Sequence, residues 1–390
     1  MLIDKRKRNS IFLLFILFLP VSWASISIGS IYRLITIVLF ALFIISSQFI
    51  IRIPSEKKKL FHTWEIYVFY SVVSVLWGGF TSHQLTIAFG MILLYLISIV
   101  FVGSNVNEQN SYKIDYAWLI AGAFFVFLFL TGRRVTIGWG TRQSLVIMGT
   151  VTDANEFASF FAIVLSIVTI LMFRSTKKIY KVLLIVFALS GVYVVLMSGS
   201  RGALLATIVA VLVTLLVGNR LTLRSVLVIL VLGILFVFVF NAYLIELIPK
   251  DTLARISIEA ITKDNGSGRS YIWKSAFRKF FDGNVFNILF GYGYGGINVP
   301  NGYGSMTSTM HNQFLQNLIA YGIIGFCLYI RLIWIVFCEY LKVKREYIGC
   351  LLGVLIMGLT ITMGPSYKLL WIIFMIPMIS FHDVDLRKEK

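Results

Sequence analysis

The sequence is poor in charged residues and in cysteine. Only 13% of the 390 residues are Asp, Glu, Lys or Arg, whereas 58% are hydrophobic and the mean hydropathy is +0.88. A soluble domain of this length cannot bury so much apolar surface, so the composition indicates a protein that uses lipid as its solvent. The three cysteines, Cys327, Cys338 and Cys350, lie in or beside the last apolar segments and predict neither a disulfide framework nor a metal cluster.

Acidic residues are scarce relative to basic ones. The chain has 17 Asp and Glu against 35 Lys and Arg, which gives a formal charge of +18. In a soluble protein this excess would suggest nucleic acid, but here the basic residues lie mainly between apolar runs. Lipid head groups and an anionic substrate are therefore the expected partners, and no nucleic acid is expected. The sequence also lacks a phosphate-binding loop and a dinucleotide motif.

Apolar runs recur from residue 11 to residue 381, and a helical span needs roughly 20 apolar residues. The pattern predicts an all-α, polytopic membrane protein with about 12 transmembrane helices in a single membrane domain over 1–390. The basic start followed by 11–19 could be a signal peptide, but it has no clear small-x-small cleavage site, so an uncleaved first helix is predicted. The predicted spans are 11–28, 31–53, 61–80, 83–102, 115–131, 156–173, 182–198, 202–218, 225–245, 312–334, 347–363 and 368–381.

The loop charges predict the orientation of these spans. Alternate loops and the two termini carry 21 Lys and Arg, whereas the short loops opposite hold only Arg33, Arg201 and Lys368. The positive-inside rule places the 21 basic residues and both termini in the cytoplasm, which in a bacterium means the cytoplasmic (inner) membrane.

Two long loops on the predicted outer side, 131–155 and 246–311, carry ten cations between them. Long loops are exempt from the positive-inside rule, so the predicted orientation is unaffected. In the larger loop, aromatic residues recur at helical spacing over 270–281 and predict an amphipathic helix at the outer interface, or one that packs on the bundle. The glycines that follow, over 291–296 and 301–304, allow either close approach of a ligand or a flexible hinge.

Three ionisable residues lie at predicted outer ends of spans. Arg201 is at the tip of a tight turn, where its guanidinium suits a diphosphate or simply snorkels to the interface. Arg269 follows a glycine-flanked loop before the amphipathic helix and either binds an anion or is an exposed loop cation. His311 begins the tenth span, where an imidazole can act as a general base or serve only as a polar helix cap.

The spacing of these residues resembles that of a known family. One pattern reads Arg-x3-Leu and the other reads His-Asn-x9-Gly followed by a further glycine, and both resemble the bacterial O-antigen ligase and O-antigen polymerase superfamily. The segment 153–158 at the sixth span is also similar to that family, and the resemblance covers roughly 152–337. The residues that carry the two patterns are Arg201, Leu205, His311, Asn312, Gly322 and Gly325.

The resemblance implies a metal-independent glycosyltransferase with no cofactor and a GT-C-like membrane fold. Its expected partners are an undecaprenyl diphosphate-linked oligosaccharide, membrane lipids and other components of polysaccharide export. It implies catalytic roles for Arg201, Arg269 and His311. The residues predicted to bind substrate are Asn312, Asn155, Ser200, Arg133 and Arg134.

Three functions fit these observations. The preferred one is a polymerase that joins lipid-linked repeat units into O-antigen, capsule or exopolysaccharide at the outer face. A close alternative is an O-antigen ligase that transfers glycan to a lipid A core, which shares both patterns. A third is a transporter of an anionic solute, which predicts broken spans and charges at the membrane midplane.

Overall fold

The computed structural model describes residues 13–20, 25–26, 29–46, 53, 55–103, 111–137, 142–218, 268–302, 304–307, 309–363 and 367–378. The predicted ninth span, the first part of the large loop and both termini lie outside these residues. The described part is mostly helical, with small β-structures between the helices. The helices are α1 (Ile31–Ser46), α2 (Lys58–Val73), α3 (Val75–Gly78), α4 (Ser82–Gly103), α5 (Ser111–Thr131), α6 (Ala154–Arg174), α7 (Lys178–Met197), α8 (Arg201–Gly218), α9 (Arg269–Phe281), α10 (Val285–Phe290), α11 (Gln313–Val343), α12 (Ile348–Gly358) and α13 (Lys368–Met375).

Five of the described helical segments are long and apolar enough to cross a membrane: Ser82–Val100, Lys113–Thr131, Ala154–Arg174, Lys178–Met197 and Gln313–Val343. Two shorter apolar stretches, Arg201–Val217 and Lys368–Met378, fall below that length. The structure therefore supports a helical membrane protein, while the number of 12 spans stays a prediction.

The first predicted span, 11–28, is wrong at residues 25–26, which form a strand. Residues 13–17 are helical, but β1 (Ser25–Ile26) pairs antiparallel with β2 (Gly29–Ser30) immediately before α1. Hydropathy alone cannot separate a short buried strand from a helix, since both are apolar.

The first long loop, 131–155, also contains strands. β3 (Arg134–Ile137) pairs antiparallel with β4 (Arg142–Ile147), which pairs with β5 (Thr150–Val151). The second pair is closed by Met148 and Gly149, both with positive φ, which is typical of a tight hairpin turn. The all-α prediction therefore missed a three-stranded sheet that leads directly into α6.

Helix α6 lies at the centre of the bundle and is buried along most of its length. It packs against α5, α7, α8 and α12, and small residues allow α8 and α12 to approach closely. A Cβ on Gly353 would lie 2.8 Å from the Cβ of Ala210, and one on Gly349 would lie 2.3 Å from the Ala210 carbonyl oxygen. Packing of this kind is typical of membrane helices, which gain little from burying apolar surface in lipid.

A buried ionic cluster joins the C-terminal end of α6 to its neighbours. The Arg174 guanidinium lies 2.6 Å from the Asp115 carboxylate of α5 and 2.6 Å from the Glu346 carboxylate before α12. The Tyr347 hydroxyl also forms a hydrogen bond with Asp115. Lys344 lies 3.9 Å from Glu346. These segments were predicted to share the cytoplasmic side, and the structure brings them to the same end of the bundle.

Helix α11 is broken at Gly322, whose φ of +64° and ψ of −170° are not helical. The carbonyls of Ile319 and Ala320 just before the break accept hydrogen bonds from the backbone N–H groups of Tyr292 and Gly293, at 3.0 and 2.8 Å. The glycine-rich segment 291–296 therefore replaces the hydrogen bonds that the helix loses. The break is filled by protein, so it does not by itself favour the transporter.

Glycine is required on both sides of this junction. A Cβ on Gly322 would lie 2.4 Å from the carbonyl oxygen of Leu289, and a Cβ on Gly291 would lie 2.3 Å from that of Ala320. The first glycine cluster thus serves close packing of two backbones, rather than the ligand approach or the hinge considered from the sequence.

Candidate functional site

The turn between α7 and α8 presents Arg201 at the start of a helix. Gly199 adopts a positive φ of +59°, and the Ser200 hydroxyl accepts a hydrogen bond from the backbone N–H of Ala203 at 3.2 Å. Ser200 is therefore the N-cap of α8, which explains why the helix begins at Arg201. The half-buried Arg201 adds its full charge to the positive end of the helix dipole.

Asn155 links this turn to the start of α6. The Asp153 carboxylate caps α6 by accepting from the N–H groups of Asn155 and Glu156, at 2.7 and 3.1 Å. The Asn155 side-chain oxygen in turn accepts from the Ser200 hydroxyl at 2.9 Å. The beginnings of α6 and α8 are thus held side by side.

Arg142 is a further member of this group that the sequence analysis did not select. Its Nη2 lies 2.7 Å from the Asn155 Oδ1, and its Nε lies 3.4 Å from the Ser198 carbonyl oxygen. Arg142 is the first residue of β4, so the three-stranded sheet carries it to the starts of α6 and α8. In the sequence Arg142 is one of ten basic residues in the predicted outer loops, and only the short apolar run over 145–147 that follows it could have indicated a strand.

His311 does not cap α11. The cap is Asn312, whose side-chain oxygen accepts from the N–H groups of Phe314 and Leu315, both at 3.0 Å. Because its oxygen is used in this way, Asn312 has only its amide N–H groups to offer a substrate. The polar-cap interpretation of His311 therefore fails in the structure.

The His311 backbone is held in an unusual conformation. Its φ is +49°, a region that non-glycine residues seldom occupy and that is often found at functional sites. The preceding residue is fixed through both backbone groups: the Met310 N–H donates to Gln316 at 2.8 Å, and its carbonyl accepts from the Trp273 indole at 2.8 Å. These two bonds fix the backbone immediately before His311.

Charges from two other helices act on the imidazole. Burial lowers the pKa of His311 below its ordinary value, the positive charge of Arg269 lowers it further, and the Asp153 carboxylate acts in the opposite direction. Arg269 is the first residue of α9, and Asp153 is the N-cap of α6. Arg269 and Asp153 therefore both lie within electrostatic reach of His311.

The amphipathic helix predicted over 270–281 is helix α9. Its buried residues are Ile272, Ala276 and Phe280, which pack on the bundle, whereas Phe277 and Phe281 are exposed. The structure thus shows a helix that packs on the bundle with one face, while its location at the outer interface stays a prediction. Its docked face fixes Arg269 beside the start of α11.

The starts of α6, α8, α9 and α11 therefore gather at one end of the bundle. Helix N-termini carry partial positive charge, and the basic residues Arg142, Arg201 and Arg269 lie at or beside these starts. Some of the first N–H groups are already bonded to the capping side chains of Asp153, Ser200 and Asn312. Such an arrangement can bind an anion with several phosphate oxygens. Within the described residues, no group of three or more His, Cys, Asp or Glu side chains is placed to hold a metal ion.

Arg133 and Arg134 were also predicted to bind substrate, and both are exposed on the sheet. Arg134 donates to Gln143 at 3.3 Å, and its guanidinium lies 5.4 Å from the ring centre of Phe129. These contacts lie within the sheet and at the end of α5 rather than around His311. Their role in binding stays a prediction.

The chain matches the sequence model of one protein family, described as O-antigen ligase, over residues 185–330. Among proteins with curated descriptions, none matches the chain. The matched segment is somewhat more than a third of the chain and includes Arg201, Arg269, His311, Asn312 and Gly322, whereas Arg142 and Asn155 precede it. This match confirms the predicted similarity to the O-antigen ligase and polymerase superfamily over residues 185–330.

Proposed function

We propose that the protein is a polysaccharide polymerase that joins undecaprenyl diphosphate-linked repeat units at the outer face of the cytoplasmic membrane. The observation that carries the proposal is the grouping of a half-buried imidazole, His311, with Arg269 and the converging helix starts. The family implies a ligase or polymerase of the glycosyltransferase kind. The assignment as a polymerase, the identity of the donor and the roles of the residues are parts of our proposal.

The reaction has simple requirements. The acceptor hydroxyl oxygen bonds to the anomeric carbon of the donor sugar, while the bond from that carbon to the diphosphate oxygen breaks. The leaving diphosphate takes the electron pair, and Arg201 and Arg269 stabilise its growing negative charge. In this mechanism the two arginines supply the positive charge, so the reaction needs no metal.

His311 takes the proton of the acceptor hydroxyl. A general base must be unprotonated before the reaction, and the lowered pKa of His311 keeps the imidazole neutral at physiological pH. The unusual backbone of His311, fixed through Met310, holds the ring in one place. Positioning of this kind lowers the entropic barrier to a reaction between two bound groups.

The alternative is an O-antigen ligase, which the description of the matched family favours. Both reactions use the same donor chemistry, so the geometry of the site fits either acceptor. A deletion strain separates them. A lipid core bearing one repeat unit identifies a polymerase, and an uncapped core with intact lipid-linked polymer identifies a ligase.

Purified variants test the residue roles. With lipid-linked repeat units as substrate, His311→Ala should lower the turnover rate by about 10² to 10⁴ while donor binding stays near normal. Arg201→Lys keeps the charge but loses the planar pair of donors, so it should lose most activity. Arg278→Lys, at an exposed position of α9, is the matched control and should be unaffected.

Two outcomes would overturn this proposal. Full-rate polymerisation by His311→Ala would show that His311 is not the general base. Near-normal activity of Arg201→Lys would show that the reaction does not depend on a bidentate contact from Arg201. Activity of the unaltered protein should also persist in a chelator such as EDTA. Loss of activity there, restored by a divalent cation, would contradict the metal-independent reaction.

A further inference from the structure

The side-chain oxygen of Asn155 is fully occupied by two donors. It accepts from the Ser200 hydroxyl at 2.9 Å and from the Arg142 guanidinium at 2.7 Å. A carbonyl oxygen has two lone pairs, so these contacts leave it no capacity for a substrate. The polar group that remains is the Asn155 NH2, on a half-buried residue in the first turn of α6.

Arg142 determines which way this amide points. The two ends of an Asn amide have almost the same shape, but a guanidinium can only donate, so the atom facing Arg142 must be the oxygen. Ser200 reinforces that orientation. Its hydroxyl oxygen accepts the N–H of Ala203 at the start of α8, which leaves its hydrogen for Asn155.

Arg142 is itself anchored at a second point. Its Nε lies 3.4 Å from the Ser198 carbonyl oxygen, in the turn that leads to Arg201. The guanidinium thus connects the sheet, the start of α6 and the start of α8. A lysine at this position has one ammonium group and cannot reproduce the same pair of contacts in a fixed geometry.

Resting on the function proposed above, we propose that Arg142 is a positioning residue for donor binding. It holds the Asn155 amide with its oxygen toward Arg142 and Ser200. The NH2 group is then the one that donates to an anionic oxygen of the lipid diphosphate. In this arrangement Arg142 acts through Asn155. Asn155 itself touches the substrate as a hydrogen-bond donor.

Asn155→Asp tests the direction of the hydrogen bond. The carboxylate still accepts from Ser200 and Arg142, so the fold and the thermal midpoint should be kept. It has no N–H group, however, and its second oxygen meets the anionic diphosphate with like charge. We expect the KM for the lipid-linked donor to rise on the order of 10- to 100-fold, with a smaller effect on kcat. An unchanged KM would overturn the proposal, because a merely structural Asn155 tolerates aspartate.

A double-mutant cycle tests whether Arg142 acts through Asn155. Arg142→Ala and Asn155→Ala should each raise the donor KM, and the double variant should be little worse than Asn155→Ala alone. Additive effects would mean that Arg142 acts independently and would overturn its role as a positioning residue. Arg278→Ala is the control for loss of an exposed cation in the same predicted outer region.

Binding of the lipid-linked donor, measured alongside stability, covers the case in which truncation harms folding. If Arg142→Ala lowers the thermal midpoint, Arg142→Lys is the milder change to use instead. For Arg142→Lys we expect weaker donor binding with an unchanged thermal midpoint. A lower midpoint with normal donor binding would contradict the proposal. If Arg201→Lys and His311→Ala are fully active, the proposed function fails. If those two lose activity while Asn155→Asp binds donor normally, only the present inference fails.

Discussion

The imidazole of His311 is influenced by an arginine and a carboxylate that belong to different helices. Arg269 at the start of α9 lowers its pKa and Asp153 at the start of α6 raises it, while burial is the largest influence and lowers it. The protonation of the proposed base is therefore controlled by residues far apart in the sequence. This arrangement makes the pH dependence of the enzyme a sensitive readout of the site.

Arg269→Gln should shift the acidic limb of the kcat/KM profile, which reports the pKa of His311 in the free enzyme, to higher pH. Only neutral His311 can accept a proton, so activity falls as pH drops through its pKa, which in the intact protein is below the reference value of about 6.5. Removal of the Arg269 charge raises that pKa, so activity is lost at a higher pH. The shape of the profile reports this shift even though the variant also loses part of its diphosphate contact.

Lys274→Gln is the matched control for this experiment, since Lys274 is an exposed cation of the same helix. Its acidic limb should coincide with that of the unaltered protein. An acidic limb that does not move in Arg269→Gln would show that the charge of Arg269 does not reach His311.

The sequence indicated most of the candidate site residues but not the contacts between them. Arg201, Arg269 and His311 could be selected because ionisable groups are rare at the ends of apolar runs. Arg142 could not be selected, because its importance arises from a sheet that brings it to Asn155. Its partners are set by the tertiary structure, which no local pattern encodes.

At the scale of single elements, the apolar runs predicted helices better than they predicted strands or breaks. The predicted span 156–173 corresponds to α6 (Ala154–Arg174), because a capping Asp153 and a terminal Arg174 bound one continuous apolar segment. The predicted span 312–334 is shorter than α11 because the helix continues to Val343, beyond the apolar run. Glu339 in that extension forms a 3.0 Å ion pair with the buried Lys57.

Gly322→Ala should strongly reduce the stability of the protein. The new Cβ would meet the Leu289 carbonyl oxygen at 2.4 Å, and the residue would keep a positive φ of +64°. Backbone strain alone costs on the order of 1–3 kcal/mol, and the steric clash adds to it. We expect a lower thermal midpoint in detergent and less folded protein in the membrane.

Gly149→Ala separates the two effects, because Gly149 has a φ of +81° but no atom within 4 Å of a new Cβ. It should show only the cost of backbone strain. Equal loss of stability in the two variants would mean that close packing at the break in α11 is unimportant.

At the scale of the whole molecule, the two ends of the bundle differ in their chemistry. One end gathers four helix starts together with Arg142, Arg201 and Arg269. The other end neutralises Arg174 internally with Asp115 and Glu346. The loop charges predict that the first end faces outward and the second faces the cytoplasm.

Cysteine labelling can test this orientation in a background from which Cys327, Cys338 and Cys350 have been removed. A cysteine in place of Asn301, in the large loop, should react with a membrane-impermeant thiol reagent in intact cells. A cysteine in place of the exposed Lys178 at the start of α7 should react only after the membrane is permeabilised. Asn265, outside the described residues, is predicted to behave like Asn301.

The reverse labelling pattern would place the His311 site in the cytoplasm. It would contradict both the orientation and the proposed use of lipid-linked donors at the outer face. Buried Lys344 is a less suitable inner reporter than Lys178, because a cysteine there could remain unlabelled whichever side it faces.

The junction between segment 291–296 and the break in α11 limits which segments of this protein can be exchanged with those of a relative. The carbonyls of Ile319 and Ala320 lose their partners if the N–H groups of Tyr292 and Gly293 are taken away. A chimera that exchanges the outer loop with that of a relative, but keeps the recipient span, would pair two backbones that were not selected together. Segment 289–322 contains both sides of these backbone contacts, so it should be exchanged as one piece.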